Sequence, residues 1–152
     1  MEYEAIAMNS YIRKSHNVTY IKYHIVCPIK YRKMIISEEV DRALKEICLE
    51  LENAYEIYFQ EIGTDGDHVH FLVQTVPSYS PSKVVKTIKG ITGREIFKKC
   101  PEVKKELYGG QFWTDGYFLS TVGKHTNEEA IAEYVKKQGK KEEYVQLHFN
   151  VE

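Results

Sequence analysis

This chain predicts an α+β domain: one antiparallel sheet that carries its helices on one face. Two observations carry the prediction. Segments with strand-like alternation and segments with helical spacing follow in the order β-α-β-β-α-β, with one more helix at the end. The second and third strands are joined by the short turn Gly63-Thr64-Asp65-Gly66, which makes them a hairpin. The first six elements have the ferredoxin-like order. That arrangement leaves one sheet face open, as in RNA-recognition modules. The 152 residues suffice for one domain with a real core, spanning 1–152, and are too few for two ordinary ones.

The elements are expected as follows. Residues 1–16 have no clear period and read as a flexible arm. Residues 18–27 are rich in β-branched and aromatic types and read as a long strand that Pro28 weakens or ends. Lys30-Tyr31-Arg32-Lys33 follows, a basic cluster with an interleaved aromatic. It reads either as a grip for phosphate with a base-stacking ring or as a solvated strand exit. Ser37 is a good N-cap, and Val40, Leu44, Ile47, Cys48 and Leu51 give the first helix one apolar face. Residues 55–62 and a run from His68 to near Pro77 form the hairpin strands. Ser80-Pro81-Ser82 opens the second helix, with Pro81 tolerated in the first turn. Val84, Val85, Ile88, Ile91, Ile96 and Phe97 give its buried side, and Lys83, Lys86 and Lys89 lie three apart on another. Pro101 stops that helix, and residues 98–110 read as a polar connector. Residues 111–113 and 116–122 form a fourth strand interrupted at Asp115-Gly116. A last helix covers 126–139, with Gly139 as its C-cap.

Composition limits the function classes. At 43% hydrophobic and 28% charged the chain resembles a soluble globular protein. No run approaches the roughly 20 apolar residues of a membrane span. Met1-Glu2-Tyr3-Glu4 lacks the basic-then-apolar pattern of a signal peptide. Cys27, Cys48 and Cys100 are odd in number and widely spaced, which argues against a disulfide framework and fits the cytoplasm. Net charge is −1, but residues 38–61 hold eight acids against Arg42 and Lys45, a local −6 that leaves +5 for the rest. Such asymmetry suits a protein that presents one surface to a polyanion, and it also occurs on ordinary solvated helices.

The chemistry concentrates in Asp67-His68-Val69-His70-Phe71-Leu72-Val73. In a strand, His68 and His70 share one face, while Val69, Phe71 and Val73 share the other and face a core. Two neutral imidazoles side by side can hold a metal ion, although two ligands alone do not make a site, and an exposed histidine pair is the alternative. On the last helix Tyr134 and Gln138 are four residues apart and so lie on one face, about a turn from each other. Without the histidine pair, Tyr134 reads as a core-packing tyrosine on a terminal helix.

Five blocks in order give the chain a specific resemblance. They are Tyr23-His24-Ile25-Val26 with Pro28 and Lys30-Tyr31-Arg32-Lys33; the His68 block; Pro81-Ser82-Lys83-Val84-Val85 with Ile88-Lys89-Gly90; Phe112-Trp113 with Gly116-Tyr117-Phe118; and Tyr134-Val135-Lys136-Lys137-Gln138. The chain resembles the single-tyrosine HUH transposases, the transposase A proteins of insertion sequences that move as single-stranded DNA. Gly90-Ile91-Thr92-Gly93 departs from the basic and serine residues expected there.

The resemblance implies an HUH endonuclease fold whose C-terminal helix carries the nucleophile. It implies that His68, His70 and Gln138 bind Mg²⁺ or Mn²⁺ and that Tyr134 attacks the DNA, giving a 5′-phosphotyrosine. It further implies recognition of hairpins at element ends by a homodimer with shared active sites, with no nucleotide cofactor and no membrane partner. Lys30, Tyr31, Arg32, Lys33, Lys83, Lys86, Lys89 and Phe112 are the expected DNA contacts. Asp67 and His125 are local candidates for the base that takes the tyrosine proton. Other readings are a domesticated relative that cuts palindromes without mobilising itself, a replication-initiation nuclease or relaxase, a non-catalytic hairpin-binding module, and a small metal-binding structural protein.

Overall fold

The structure, a computed structural model, describes residues 10–108 and 110–123. It begins with a two-stranded ribbon, β1 (Ile12–Arg13) against β2 (Val18–Thr19), closed by a bond from the Lys14 N–H to the Asn17 carbonyl. Part of the expected arm is therefore built into the fold, with Ile12 buried. Two-residue strands are too short to show any period, which is why the pattern misses them.

The main sheet has four antiparallel strands, β3 (Ile21–Pro28), β4 (Ile57–Thr64), β5 (His68–Thr75) and β6 (Phe118–Val122). Their spatial order is β4-β5-β3-β6. Helices α1 (Glu38–Leu51) and α2 (Pro81–Lys99) connect them in the ferredoxin-like sequence, so the expected fold class is the observed one. Pro28 is the last residue of β3, where a missing N–H does least harm to the ladder. A bulge between Phe59 and Glu61 bends β4 beside β5.

Helix starts follow local chemistry. The Ser37 hydroxyl accepts from the Val40 N–H at 3.2 Å, and the Ser80 hydroxyl accepts from the Lys83 N–H at 3.1 Å. The apolar faces of α1 and α2 then cover one side of the sheet. Leu44, Cys48, Val84, Ile88 and Ile96 from the helices and Ile25, Cys27, Val69, Phe71 and Val73 from the strands are all 0% exposed. A buried polar chain is fully satisfied within this core: Trp113 Nε1–H donates to Thr92 Oγ1, whose hydroxyl donates to the Ile88 carbonyl.

Two segments differ from their expected form. Pro101 opens a further short helix, α3 (Pro101–Glu106), because proline fits a first helical turn as well as it ends a preceding one. Val103 and Leu107 anchor this stretch in the core. Residues 111–113 form no strand of the sheet. They are held along β3 by an isolated bridge from Trp113 to Ile29 and by a bond from the Lys30 N–H to the Phe112 carbonyl.

The turn that leads into β5 requires one backbone exception. Gly66 has φ +68, and a Cβ there would meet the Met34 side chain. Met34 is 75% exposed and can swing away, whereas the left-handed backbone penalty cannot be relieved. We therefore expect Gly66→Ala to lower unfolding free energy by about 1–2 kcal/mol. Urea denaturation measures this, and an unchanged midpoint would show that the turn has another conformation.

Candidate active site on the sheet face

Alternation sorts the central strands. On β5, Val69, Phe71 and Val73 enter the core, and His68, His70, Leu72 and Gln74 face the other way. On β3, Tyr23, Ile25 and Cys27 are buried among the helices, and Lys22, His24, Val26 and Pro28 share the face of the histidines. The register sets Pro28 opposite His68 and Val26 opposite His70. It therefore brings His24, a residue that the spacing of motifs does not single out, diagonally next to His70.

Three imidazoles thus cluster on this face. The His68 and His70 ring centroids are 5.1 Å apart, and those of His24 and His70 are 5.3 Å apart with nearly parallel planes. His24 Nε2 lies 3.1 Å from His70 Nδ1, a hydrogen bond whose donor depends on the tautomers. Burial, with the neighbouring His68 and His24, holds His70 below the usual histidine pKa, against a smaller opposing effect of Asp65 and Glu61. His70 is therefore neutral at pH 7, the form that can donate a lone pair.

His68 is held differently. Its Nδ1 is 2.8 Å from Asp67 Oδ1, and Arg32 Nε donates to Asp67 Oδ2 at 3.1 Å. The bond with His68, then that with Arg32, holds the Asp67 carboxyl below its ordinary range. With Nδ1 engaged, Nε2 of His68 is the nitrogen left to face the open side, 3.7 Å from Asp65 Oδ2. This arrangement of a carboxylate behind an imidazole orients metal-binding histidines generally.

Among the described residues, this face is left open at the histidine end. At the other, Gln74 is 0% exposed, its amide donates to the Ser10 carbonyl, and its Oε1 accepts from Gln60. Lys14 on the ribbon pairs with Glu56. The ribbon side therefore closes the Lys22 and Gln74 end and leaves the histidine end accessible.

The expected DNA contacts divide. Lys83 and Lys86 are exposed on α2, with Lys83 Nζ 4.9 Å from the centre of the Tyr79 ring. Lys89, half-buried, is engaged by the backbone of a neighbouring loop. Its ammonium bonds the carbonyls of Thr114, Asp115 and Gly116 at 2.7, 3.2 and 3.3 Å, which uses its three donors to shape the loop before β6. Phe112 is 2% exposed in the core, so its ring offers no stacking platform. Arg32 is engaged by Asp67, while Tyr31 is 60% exposed between Lys30 and Lys33. Tyr134, Gln138 and the base candidate His125 lie outside the described residues.

Among the described residues, Glu39, Cys100 and Glu102 form a group of three ligand-type side chains with donor atoms within 4.8 Å. The buried Cys100 thiol there is pushed above its ordinary pKa, mainly by desolvation, which suits a core residue. No helix among the described residues is long and apolar enough to cross a membrane.

The chain matches the family profile of IS200-like transposases over residues 17–138. It is 31% identical over 134 residues to the ISDra2 transposase TnpA of Deinococcus radiodurans, covering 86% of this chain and 94% of that one. It is 32% identical over 117 residues to the transposase for insertion sequence element IS200 of Salmonella typhimurium, covering 77% and 76%. A crystal structure of a candidate transposase from Deinococcus radiodurans R1 superposes with a TM-score of 0.68 at 28% identity, covering 84% of this chain and 97% of that one. A family match over most of the chain and relatives above 30% identity over most of their length together place this chain in the family of IS200-like transposases.

Proposed function

We propose that this transposase cuts and rejoins single-stranded DNA beside hairpins at the ends of its element, through a 5′-phosphotyrosine on Tyr134. The observation that supports the reading best is the histidine pair on the open sheet end, each ring held through Nδ1 by its own partner.

The donors suit a divalent cation. His68 and His70 offer neutral imidazole nitrogens, and Gln138 adds a neutral amide, so Mg²⁺ or Mn²⁺ would keep its full charge. When bound, the ion supplies electrostatic stabilisation to a non-bridging oxygen of the scissile phosphate. Asp67, braced by Arg32, fixes the tautomer and tilt of His68, and His24 holds the tilt of the His70 ring. Tyr134 does the bond chemistry. Its Oη forms a bond to phosphorus, the bond to the 3′ oxygen breaks, and that oxygen leaves as a 3′-hydroxyl after taking a proton. The diester retains much of the original bond's free energy, so a second 3′-hydroxyl can reverse the step without a nucleotide cofactor. Tyrosine titrates near 10, so another group must accept its proton. Asp67, held low by two partners, is better suited to orient His68 than to serve as that base. The active form in this reading is a cytoplasmic homodimer, with histidines from one chain and Tyr134 and Gln138 from the other.

Tyr134→Phe tests the nucleophile. Wild type with a single-stranded hairpin substrate and Mn²⁺ should give a protein–DNA adduct that survives denaturation, and the variant should give none while still binding the hairpin. An undiminished adduct from the variant moves the nucleophile to another tyrosine.

The ligand set has its own test. His68→Ala and His70→Ala should abolish cleavage, and chelation should stop the wild type while leaving hairpin binding intact. Asp67→Ala should weaken Mn²⁺ binding by roughly 10- to 100-fold in calorimetry, the usual cost of losing a partner behind a ligand. Full cleavage in chelator excludes the metal role.

Sharing of the site is tested by mixing Tyr134→Phe with His68→Ala under conditions of subunit exchange. In a shared arrangement the heterodimer holds one site with both halves intact, and cleavage returns. If heterodimers form and the mixture stays inactive, cleavage uses histidines and tyrosine from one chain.

A further inference from the structure

Next to the histidines lies a surface that the proposed chemistry does not use. Among the described residues, the non-glycine residues with positive φ are Tyr31 (φ 62), Arg32 (φ 53) and Tyr108 (φ 58). Bulky side chains rarely adopt this backbone, and such exceptions cluster at functional sites. Tyr31 and Tyr108 come from elements more than seventy residues apart, yet their rings meet, with centroids 6.1 Å apart and planes at 67°. Both are turned outward, 60% and 78% exposed. Two large rings held in strained backbone and left to water contribute little to the fold.

Cations surround them. Lys30 Nζ lies 5.7 Å from the Tyr31 ring centre and Lys33 Nζ 4.8 Å from that of Tyr108. Lys33 also donates to the Glu106 carbonyl at 3.0 Å, which ties the two segments together. Lys104 and Lys105 are exposed on α3 and, with Pro101, line a shallow groove of about 450 Å³ that ends at Tyr108. Glu102 and Glu106 are the acids of the same helix. The patch is also wired to the candidate active site: Arg32, adjacent to Tyr31, bonds Asp67, and Asp67 bonds His68.

We propose that Tyr31 and Tyr108 form a corner that stacks one unpaired base of the DNA strand leading to the cleavage site, with Lys33, Lys104 and Lys105 on the flanking phosphates. This rests on the single-stranded substrate proposed for Tyr134. Two rings at a steep angle suit one flat ring better than a base pair: its face lies on one tyrosine and its edge meets the other. Lysines around aromatic rings are a general means of gripping a single strand, because phosphate and base are then held together. The contact to Asp67 through Arg32 makes the grip continuous with the turn that orients His68.

The test uses the whole 152-residue chain in a Tyr134→Phe background and a hairpin whose single-stranded flank carries 2-aminopurine at successive positions. Binding should quench the fluorophore at one flank position. Tyr108→Gly relieves the left-handed backbone, so its denaturation midpoint should stay or rise while quenching disappears and affinity falls. Tyr31→Ala should do the same to binding, each by roughly 5- to 150-fold. Tyr31→Phe and Tyr108→Phe should retain both, since the ring and not the hydroxyl stacks. Lys104→Gln should weaken binding without moving the quenched position and reduce the salt slope by about one. Unchanged quenching and affinity in the Ala and Gly variants would overturn the proposal. So would an equal loss on fully paired DNA, or a change in oligomeric state with DNA binding intact, which would make the patch a protein interface. Adduct formation by the protein with Tyr134 intact is scored separately: its absence with quenching present rejects the cleavage reading and leaves the stacking corner standing.

Discussion

The register between β3 and β5 is the constraint on which the site depends. With Cys27 opposite Val69 and Val26 opposite His70, the paired strands send Ile25, Cys27, Val69, Phe71 and Val73 into the core together. A slip of one residue would turn β5 over, exposing its apolar side chains and pressing His68 and His70 against the helices. At about 1.5–3 kcal/mol per large buried side chain, the loss would be on the order of 5–10 kcal/mol before any cost of burying imidazole. The hydrophobic effect therefore decides which face the histidines occupy. Polar contacts are left with a smaller role, which is to choose the orientation of each ring.

That orientation is set by a turn built jointly from two distant segments. The Ile29 N–H bonds the Asp67 carbonyl and the Ile36 N–H bonds the Gly66 carbonyl, so the basic segment after β3 is stitched by its backbone to the approach of β5. Left-handed conformations at Tyr31, Arg32 and Gly66 lie on the two sides of this seam. Glycine takes such a backbone freely, whereas Tyr31 and Arg32 do not. Their strain is offset by the seam and by the Arg32–Asp67 pair. The basic cluster and the histidine motif, separate in the sequence, are one structural unit.

Local signals explain what could be read from the chain. The alternation in β5, the caps at Ser37 and Ser80 and the helical spacing of Val40, Leu44, Ile47 and Leu51 depend on near neighbours, and each has its expected place. His24 is different. Its approach to His70 follows from a strand pairing across forty-six residues, and no local pattern encodes that register. Lys89 is a similar case: its position on α2 is legible, but the carbonyls of residues 114–116 that it bonds belong to a later loop. The α3 segment holds only Val103 and Leu107 as anchors in a polar run, and Pro101 signals an end and a beginning alike. Tyr108 has no periodicity at all, since a left-handed residue after a short helix belongs to no repeating pattern. Tyr134 and Gln138 are legible as a pair through their four-residue spacing and lie beyond what the structure describes.

The face that carries the histidines is closed at one end and open at the other, and this asymmetry shapes the metal chemistry proposed for it. Gln74, satisfied by Ser10 and Gln60, fixes the closed end, while the other end holds two oriented imidazoles two residues apart on the one strand β5. The group of three His, Cys, Asp or Glu donors found among the described residues involves Glu39, Cys100 and Glu102 instead. On the proposed ligand set, the third donor is Gln138, which lies outside the described residues. Two rigid ligands give weak metal binding, and a third delivered by docking makes it strong. Linkage then runs both ways: whatever factor the docked helix contributes to metal affinity, the bound metal returns to helix docking. The four-residue spacing predicts Tyr134 one turn from Gln138, and on that reading the same equilibrium would bring the nucleophile to the phosphate only when the ion that stabilises its attack is also held. On the proposed ligand set, metal binding and strand cleavage would then be coupled without any additional switch.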